Sequence, residues 1–559
     1  MNNLETIIKK LIREKVEKPG DLSLIKRGFA KRYHLPCPKN SSLLSAYHKL
    51  LKQGKITKNR SLEKFLRTRK IRSLSGIVSV SVLTKPWPCP GRCLYCPSEK
   101  GLPKSYLQGE PAVMRAVANK FDPYSQVKTR LQSLQATGHV TAKIELIIIG
   151  GTWSSLPRKY QAWFIKECFR AANNRPSVKR KTQSAKQQFK TKNLLEEQKR
   201  NERARHRIIG ITIETRPDFI DENEIKQLRW LGVTRVELGV QSTYDNVLER
   251  NLRGHKVSET IKATKLLKDA GFKVCYHLMP NLPGSDLKKD EETFTELFEN
   301  PDFKPDFLKI YPCVVVKQAP LYQLWLKKRY RPYTDKQLIN LLAKVKQKIP
   351  IYCRVIRIYR DIPSWQIKAG SKISNLRQTV LEELKKQGKK CLCIRCREIR
   401  NDFSPRQKLK LFRRDYASSG GREIFLSFED QKRQKLFALL RLRLLKTEET
   451  GSPLSFPALK DAAIIREVHT YGETIGFDEK TKTSPQHRRL GKELMKMAEK
   501  IAAEQGFKKI SVIAGVGSRN YYRGLGYRLQ NSYLVKKLLP KSFLRATPAK
   551  TAPKPKSQN

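Results

Sequence analysis

The alternation of apolar and polar positions divides the chain into three stretches of different period. Residues 1–72 follow a helical spacing, as in MNNLETIIKKLIREKVEK, where isoleucines and leucines recur every three or four positions among lysines and glutamates. From about Gly76 to Gly370 short apolar runs alternate with amphipathic stretches. The runs predict strands at Val78–Leu83, Lys143–Ile149, Ile208–Glu214, Arg235–Val240, Lys273–Met279, Phe307–Val316 and Arg354–Tyr359. Helical patterns lie between them, such as Ser258–Ala270, closed by Gly271, and Asp335–Gln347, ended before Pro350. This order predicts an α/β domain over 73–370, a parallel sheet with helical crossovers wound as a full or partial (β/α) barrel. Chemistry in such barrels sits at the C-terminal strand ends. A polar, repetitive basic segment, 173–207, interrupts the pattern and reads as an exposed insertion.

From about Leu411 to residue 540 a second α/β pattern begins, with strands at Ile424–Ser427, Leu436–Leu444, Ala462–Tyr471 and Lys509–Ala514 around a helix at Leu490–Gln505. Residues 371–410 link the two domains, and 541–559, rich in Pro, Lys and Ala, read as a disordered tail.

Charge sharpens this picture. The chain has 559 residues, with 115 Lys+Arg against 51 Asp+Glu, a net +64. Self-repulsion of that size calls for a polyanionic partner, and nucleic acid, bound through its phosphates, is the obvious one. The excess is strong in residues 1–72, where 20 basic residues face 5 acidic ones, so this helical extension is expected to touch RNA. No run approaches the ~18 apolar residues of a membrane span, and the N-terminus lacks the apolar core of a signal peptide. The expectation is a cytoplasmic protein without membrane attachment, so the eleven cysteines are ligands or buried thiols.

KPWPCPGRCLYCPSEKG places Cys89, Cys93 and Cys96 just after the first strand. Four thiolates saturate a [4Fe-4S] cluster; three leave one iron open. That iron can take the amino and carboxylate groups of S-adenosylmethionine, whose reductive cleavage yields a deoxyadenosyl radical. A three-cysteine zinc knuckle is the competing reading, although no histidine follows. At later strand ends, Gly150, Gly151 and Thr152 allow close backbone approach to a ligand, and Glu214, Arg216, Glu237 and Gln241 offer groups to grip the cofactor. A second set, Cys391, Cys393 and Cys396, has spacing suited to structural zinc. Cys313 is the expected fourth ligand, with Cys353 and Cys275 as alternatives; Cys37 and Cys168 are read as buried thiols.

Taken together, these segments resemble the family of the Elongator catalytic subunit and its bacterial and archaeal relatives. The resemblance rests on GEPAVMRA at Gly109–Ala116, Gly150–Thr152, GITIETRPD at Gly210–Asp218, LGVQS at Leu238–Ser242, NLRGH at Asn251–His255, and GFKV with MPNLPG within Gly271–Gly284. RDIP at Arg360–Pro363, RRDY at Arg413–Tyr416 and SRNYYRGLGYRL at Ser518–Leu529 complete it, in order over about 75–540. The resemblance implies a radical S-adenosylmethionine barrel joined to a GNAT-type acetyltransferase domain, making carboxymethyl-type modifications at carbon-5 of the wobble uridine of tRNA with acetyl-CoA as carbon source. The compact Cys89–Cys93 gap departs from the longer one of eukaryotic members.

GNAT domains bind the CoA pyrophosphate on a Q/R-x-x-G-x-G/A turn at a helix N-terminus. Here the turn is Gln486-His487-Arg488-Arg489-Leu490-Gly491, with Arg489 in place of the first glycine. After Asn520, Tyr522 is the first choice for a proton donor near the CoA sulfur and Tyr521 the second. The reaction expected is addition of an acetyl-derived carbon radical to a flipped-out uridine of the tRNA anticodon stem-loop. The alternatives are a lysine acetyltransferase with Glu467 as base and a structural cluster, and a non-catalytic tRNA-binding protein. A homodimer stays open.

Overall fold

The computed structural model describes residues 3–14, 16, 18–68, 75–174, 193–400, 407–445, 456–472 and 489–538. Among the described residues, sixteen strands build three sheets. The first carries β1 (Val78–Leu83), β2 (Lys143–Ile149), β3 (Arg207–Thr215), β4 (Arg235–Gln241), β5 (Lys273–Leu278) and β6 (Phe307–Ile310); after β7 (Val315–Val316) it is completed by β8 (Arg354–Arg357). β9 (Ile367–Ala369) pairs only with β7, as a small antiparallel ribbon. The large sheet runs in chain order, β1-β2-β3-β4-β5-β6-β8, and every pairing is parallel. Sequential order with helical crossovers winds the sheet toward a barrel. Among the described residues β1 and β8 are the edges of this sheet and do not pair with each other, so the barrel is partial. The run expected as one strand over Phe307–Val316 is two: Pro312, which lacks an N–H, follows Tyr311 and ends the ladder.

The second sheet comprises β10 (Lys410–Ser418), β11 (Gly421–Glu429), β12 (Leu436–Leu444), β13 (Ala462–Thr470), β14 (Lys509–Val512), β15 (Arg528–Gln530) and β16 (Tyr533–Lys537), ordered β10-β11-β12-β13-β14-β16-β15. Its one parallel pairing joins Ala462–Ile465 of β13 to β14; beyond it, Arg466–Thr470 of β13 have no β14 partner, which leaves a wedge. The helix Leu490–Glu504 packs on this sheet through Leu494, Met495, Ala498 and Ile501.

The two sheets share one continuous apolar core, from Val78 of β1 to Leu534 of β16. Among the fully buried arginines, Arg441, Arg443 and Arg466 cross between them. Arg466 reaches both oxygens of Asp306 at 2.7 Å and Glu423 at 3.2 Å; Arg443 reaches Asp269 at 2.5 Å and Glu423 at 3.0 Å; Arg441 reaches Glu467 at 2.8 Å and Asp306 at 3.4 Å. Backbone also meets backbone: a Cβ on Gly515 would lie 2.0 Å from the Ile209 carbonyl oxygen of β3.

The helices Asn3–Arg13, Pro19–Arg32, Asn40–Lys52 and Arg60–Leu66 enclose a separate small core around Ile7, Leu43, Tyr47 and Leu62. It is fastened to the barrel at Gly138, close against Leu44, and by His139 to the Thr68 carbonyl at 3.1 Å. Of the insertion, 175–192 lie outside the described residues; Leu194–Asn201 is a helix. The tail 541–559 also lies outside them. Among the described residues no helix is long and apolar enough to cross a membrane.

Candidate active site

The loop leaving β1 crosses the barrel mouth and is tied down on its far side. Leu94 donates its amide to Asn251 and accepts one from Leu321, at 3.1 and 2.8 Å; Ser98 donates to the Gln318 carbonyl at 3.0 Å. Within it Cys93 is buried, and Cys89 and Cys96 are partly buried. A Cβ on Gly91 would sit 3.5 Å from Cys93 Sγ, 3.7 Å from Cys89 Sγ and 3.0 Å from Arg216 Nη1, so the loop folds around its glycine and turns these sulfurs toward one place. The three sulfurs are not gathered to the spacing of a single ion. Those of Cys391, Cys393 and Cys396 are, all within 4.8 Å of one another. The wider set fits a multi-iron cluster and the tight one a single tetrahedral ion.

Cations surround the first set. Arg253 Nη1 lies 3.7 Å from Cys93 Sγ, and Lys104 donates to the Gly91 carbonyl at 2.6 Å. Burial, with Cys93 alongside, pushes the Cys96 thiol up to about 12, so a positive partner is needed to hold its thiolate. His255 is buried beside Arg253 and Arg216. Burial and those two charges drop it to about 2, so the ring is neutral, and neither ring nitrogen has a hydrogen-bond partner.

The strand-end residues divide by what they already hold. Gly150 (φ 136°) lies so close to β1 that a Cβ would be 2.0 Å from Thr84 Oγ1; Gly151 (φ 95°) faces open space, its nearest neighbour the Lys104 carbonyl at 3.7 Å. Thr152 is buried. Glu214 accepts from Tyr106 at 2.9 Å and Lys309 at 3.1 Å. Arg216 grips Asp218 with two bonds, 2.8 and 2.7 Å, and the Gly254 carbonyl at 2.8 Å. Glu237 is fully buried against Lys309, with His277 at 2.8 Å and Arg235 at 3.5 Å. Burial works to raise its carboxyl, but Lys309, His277 and Arg235 outweigh burial and hold it far below the ordinary range. Glu214, Arg216 and Glu237 are therefore engaged internally. Gln241 is not: it sits at φ 73°, and its buried Oε1 has no partner.

Lys309, Tyr106, Arg253 and His255 went unassigned in the sequence. Lys309 had a visible signal, a lone cation in the otherwise apolar strand FLKI.

At the wedge of the second sheet, Arg489 caps Leu490–Glu504 at φ 57°, a left-handed conformation. Leu490 is core. Gly491 opens the helix, and a Cβ there would stand 3.1 Å from the Tyr521 hydroxyl and 3.6 Å from Thr470 Oγ1. The Tyr521 hydroxyl thus reaches the helix N-terminus, and the side chain stays 41% exposed; Tyr522 is buried edge-on beneath it at 5.1 Å. Of the two tyrosines, Tyr521 is the one whose hydroxyl lies at the helix start. Asn520 Nδ2 donates to the Glu202 carbonyl at 3.0 Å, while Arg519 and Arg523 pair with the Glu202 carboxylate at 3.2 and 2.5 Å. Asn520 therefore clamps the insertion's stalk to the tyrosine helix rather than facing the wedge. Gln486, His487 and Arg488 lie outside the described residues. Glu467 is partly buried and paired with Arg441; desolvation raises its carboxyl, but Lys273 and Arg441 win and keep it low, so it is no free base.

Cys313 requires a correction. It packs with Cys93, Tyr95, Val247 and Tyr330 on the barrel-mouth side, because the break at Pro312 turns it away from the linker. Cys391, Cys393 and Cys396 gather instead against Lys346, whose Nζ lies 3.4 Å from Cys396 Sγ and 3.7 Å from Cys393 Sγ. Hydrogen bonds from Cys391 and Cys396 set the Cys393 thiol well below its ordinary value. Cys353 is beside them, its carbonyl accepting from the Ile394 amide at 3.0 Å.

Comparison with known proteins accords with this geometry. Residues 89–297 match the Radical SAM superfamily, and residues 305–386 match the Radical_SAM C-terminal domain. The chain is 43% identical over 503 residues to the tRNA uridine(34) acetyltransferase of Methanocaldococcus infernus, covering 88% of this chain and 91% of that protein. It is 38% identical to Elongator complex protein 3 of Homo sapiens, over 96% of this chain and 97% of the other. A solved structure of the archaeal Methanocaldococcus infernus Elp3 with an N-terminal deletion (1–46) superposes with a TM-score of 0.69 at 42% identity, covering 83% of this chain and all of that one. With this identity spanning the barrel, the linker and the second sheet, the chain belongs to the family of Elongator complex protein 3 and the tRNA uridine(34) acetyltransferases.

Proposed function

We propose that the chain modifies carbon-5 of the wobble uridine of tRNA, a carboxymethyl-type change that takes its carbon from acetyl-CoA. The observation that carries this reading is the rigid fusion of two sites: a three-cysteine cradle at a parallel barrel mouth and a GNAT-like wedge, locked together by a shared core and by Arg441, Arg443 and Arg466.

Cys89, Cys93 and Cys96 fit a [4Fe-4S] cluster, which when bound supplies reductive cleavage of S-adenosylmethionine. The chain's own residues prepare that place. Arg253 and Lys104 offset thiolate charge at the loop. Gly151 leaves room for close approach, and Gln241 offers an unused amide oxygen. Lys309, locked between Glu237 and Glu214, keeps the barrel interior charged and ordered beneath the mouth.

At the wedge, amides at the start of Leu490–Glu504 and the helix dipole favour the CoA pyrophosphate. The Tyr521 phenol, pushed up to about 12 by burial, is protonated at neutral pH and can donate to a thiolate leaving group. Cys391, Cys393 and Cys396 suit zinc. The net +64 charge suits a tRNA ligand.

The test is anaerobically reconstituted protein with tRNA, S-adenosylmethionine and acetyl-CoA labelled in its methyl group. Label in uridine is expected. Label in protein lysines would mean a lysine acetyltransferase, and label in neither would mean a binding protein; each overturns the proposal. One zinc per chain, lost in Cys391→Ser/Cys393→Ser, is expected for the linker site; zinc retained there refutes the assignment.

A further inference from the structure

Just before the first cluster cysteine the chain reads Lys85-Pro86-Trp87-Pro88-Cys89. Prolines fix their own φ and restrict the preceding residue, so Trp87 is presented on a stiff strap rather than a mobile loop. Its indole stays 37% exposed and stacks on Tyr160, with ring centroids 6.1 Å apart and planes 21° apart. Tyr160 lies 5.5 Å from Trp163, which is 41% exposed one turn further along the helix Arg158–Asn173. Behind them Phe164 is fully buried against Tyr160 and Trp153. The Lys85 amide donates to the Tyr160 hydroxyl at 3.2 Å, and the Lys85 ammonium lies 5.2 Å from the ring centroids of both Trp87 and Tyr160.

Trp87 leaves the C-terminal end of β1, and Arg158–Asn173 follows the C-terminal end of β2, so this group stands on the rim of the barrel mouth. Exposed apolar rings of this size cost solvation unless something covers them. Here the cover has a chemistry. Flat π faces held rigidly beside an ammonium group suit an unpaired nucleobase and its phosphate, and base stacking on aromatics tolerates any base identity. A protein partner would be met by a broader apolar surface, yet the neighbours on the strap are Lys85, Cys89 and Arg92.

We propose that Trp87, Tyr160 and Trp163 form a stacking platform for a splayed-out anticodon-loop base next to the uridine that is modified. The inference rests on the reading of tRNA as substrate and adds how a single-stranded loop is held open at the mouth. Rigidity matters because a preordered platform loses little entropy when a base lands on it.

The experiment uses the full chain with its cluster reconstituted, and titrates a fluorescent anticodon stem-loop against a blunt RNA duplex of equal phosphate count. Trp87→Ala and Trp163→Ala are each expected to weaken stem-loop binding about 5- to 150-fold, to leave duplex binding unchanged and to leave the salt dependence unaltered, since stacking releases no counterions. Trp87→Phe is expected to keep most of the affinity. Iron content and thermal midpoint, equal to wild type, exclude damage to the cluster loop. Unchanged stem-loop affinity in both alanine variants would overturn the platform, as would equal loss for stem-loop and duplex, or a change in oligomeric mass pointing to a protein-docking patch. If the wild type binds the stem-loop but places no label in uridine, the reaction reading falls and the stacking result stands.

Discussion

Arg466→Met offers the sharpest test of how the two sheets are held together. Asp306 is fully buried at the head of β6, where it takes three bonds from Arg466 at 2.7–2.8 Å, the Val274 amide at 2.9 Å and Arg441 at 3.4 Å. Burial raises its carboxyl, but Arg466, Arg441 and Lys268 outweigh that and hold it below the ordinary range. Breaking a buried pair by removing one partner costs about 3–5 kcal/mol, because the other charge is stranded. With Arg441 still in reach, the lower end, about 3 kcal/mol, is expected for Arg466→Met. Asp306→Asn in the same chain removes the stranded charge yet keeps the acceptor for the Val274 amide, so the double variant is expected to recover about 2 kcal/mol relative to the sum of the singles. Urea titration followed by tryptophan fluorescence measures both quantities. The sign of the pH effect follows from the depressed carboxyl: this stability is fully present above the unfolded value near ~4 and is lost as pH falls below it. A loss under about 1 kcal/mol for Arg466→Met, or additivity within about 0.5 kcal/mol, would refute the reasoning.

Four further outcomes are expected. Lys268, buried and donating to the Lys304 carbonyl at 2.6 Å, is brought down by burial to about 7; the unfolded chain then binds the extra proton between pH 7 and about 10.4, so this group makes stability rise with pH across that window, and Lys268→Met should flatten the rise in a pH series of urea midpoints. Arg489→Gly removes a left-handed non-glycine conformation at φ 57° and, after the glycine's greater unfolded entropy, should gain roughly 0.5–1 kcal/mol in thermal unfolding and bind acetyl-CoA at least as tightly by calorimetry. Tyr521→Phe should slow acetyl-CoA turnover about 100-fold, whereas Tyr522→Phe should change it only a few-fold, as steady-state kinetics can read. Gly150→Ala combines φ 136° with a Cβ 2.0 Å from Thr84 Oγ1 and should cost on the order of 3 kcal/mol in thermal melts, more than Gly151→Ala.

Most of the barrel was legible because its strands are short, rich in β-branched residues and set off from the helical patterns: β1 (VSVSVL) and β2 (KIELIII) alternate in burial and carry the expected bounds, and β3 to β5 differ by a residue or so. Local chemistry decided the failures. Pro312 splits the long sixth run and carries Cys313 away from the linker thiols, which spacing alone could not reveal. β10, KLFRRDYAS, escaped notice because its arginines break the apolar signal of an edge strand. Arg441, Arg443 and Arg466 look like solvent-facing residues in sequence, and only the opposing Asp306, Asp269 and Glu423 make their burial tolerable. The three-cysteine loop was plain from its spacing, whereas Lys309, Tyr106 and the unpartnered His255 depend on which strand ends the winding brings together. Tyr521 and Tyr522 are neighbours in sequence, and only the approach of Gly491 tells them apart.

At Gly515 the second domain lies backbone against backbone on Ile209 of β3, with no room for even a methyl group between them. Under the proposed function, so tight a seam favours transfer between the two sites by the reach of a bound ligand over a swing of one domain against the other.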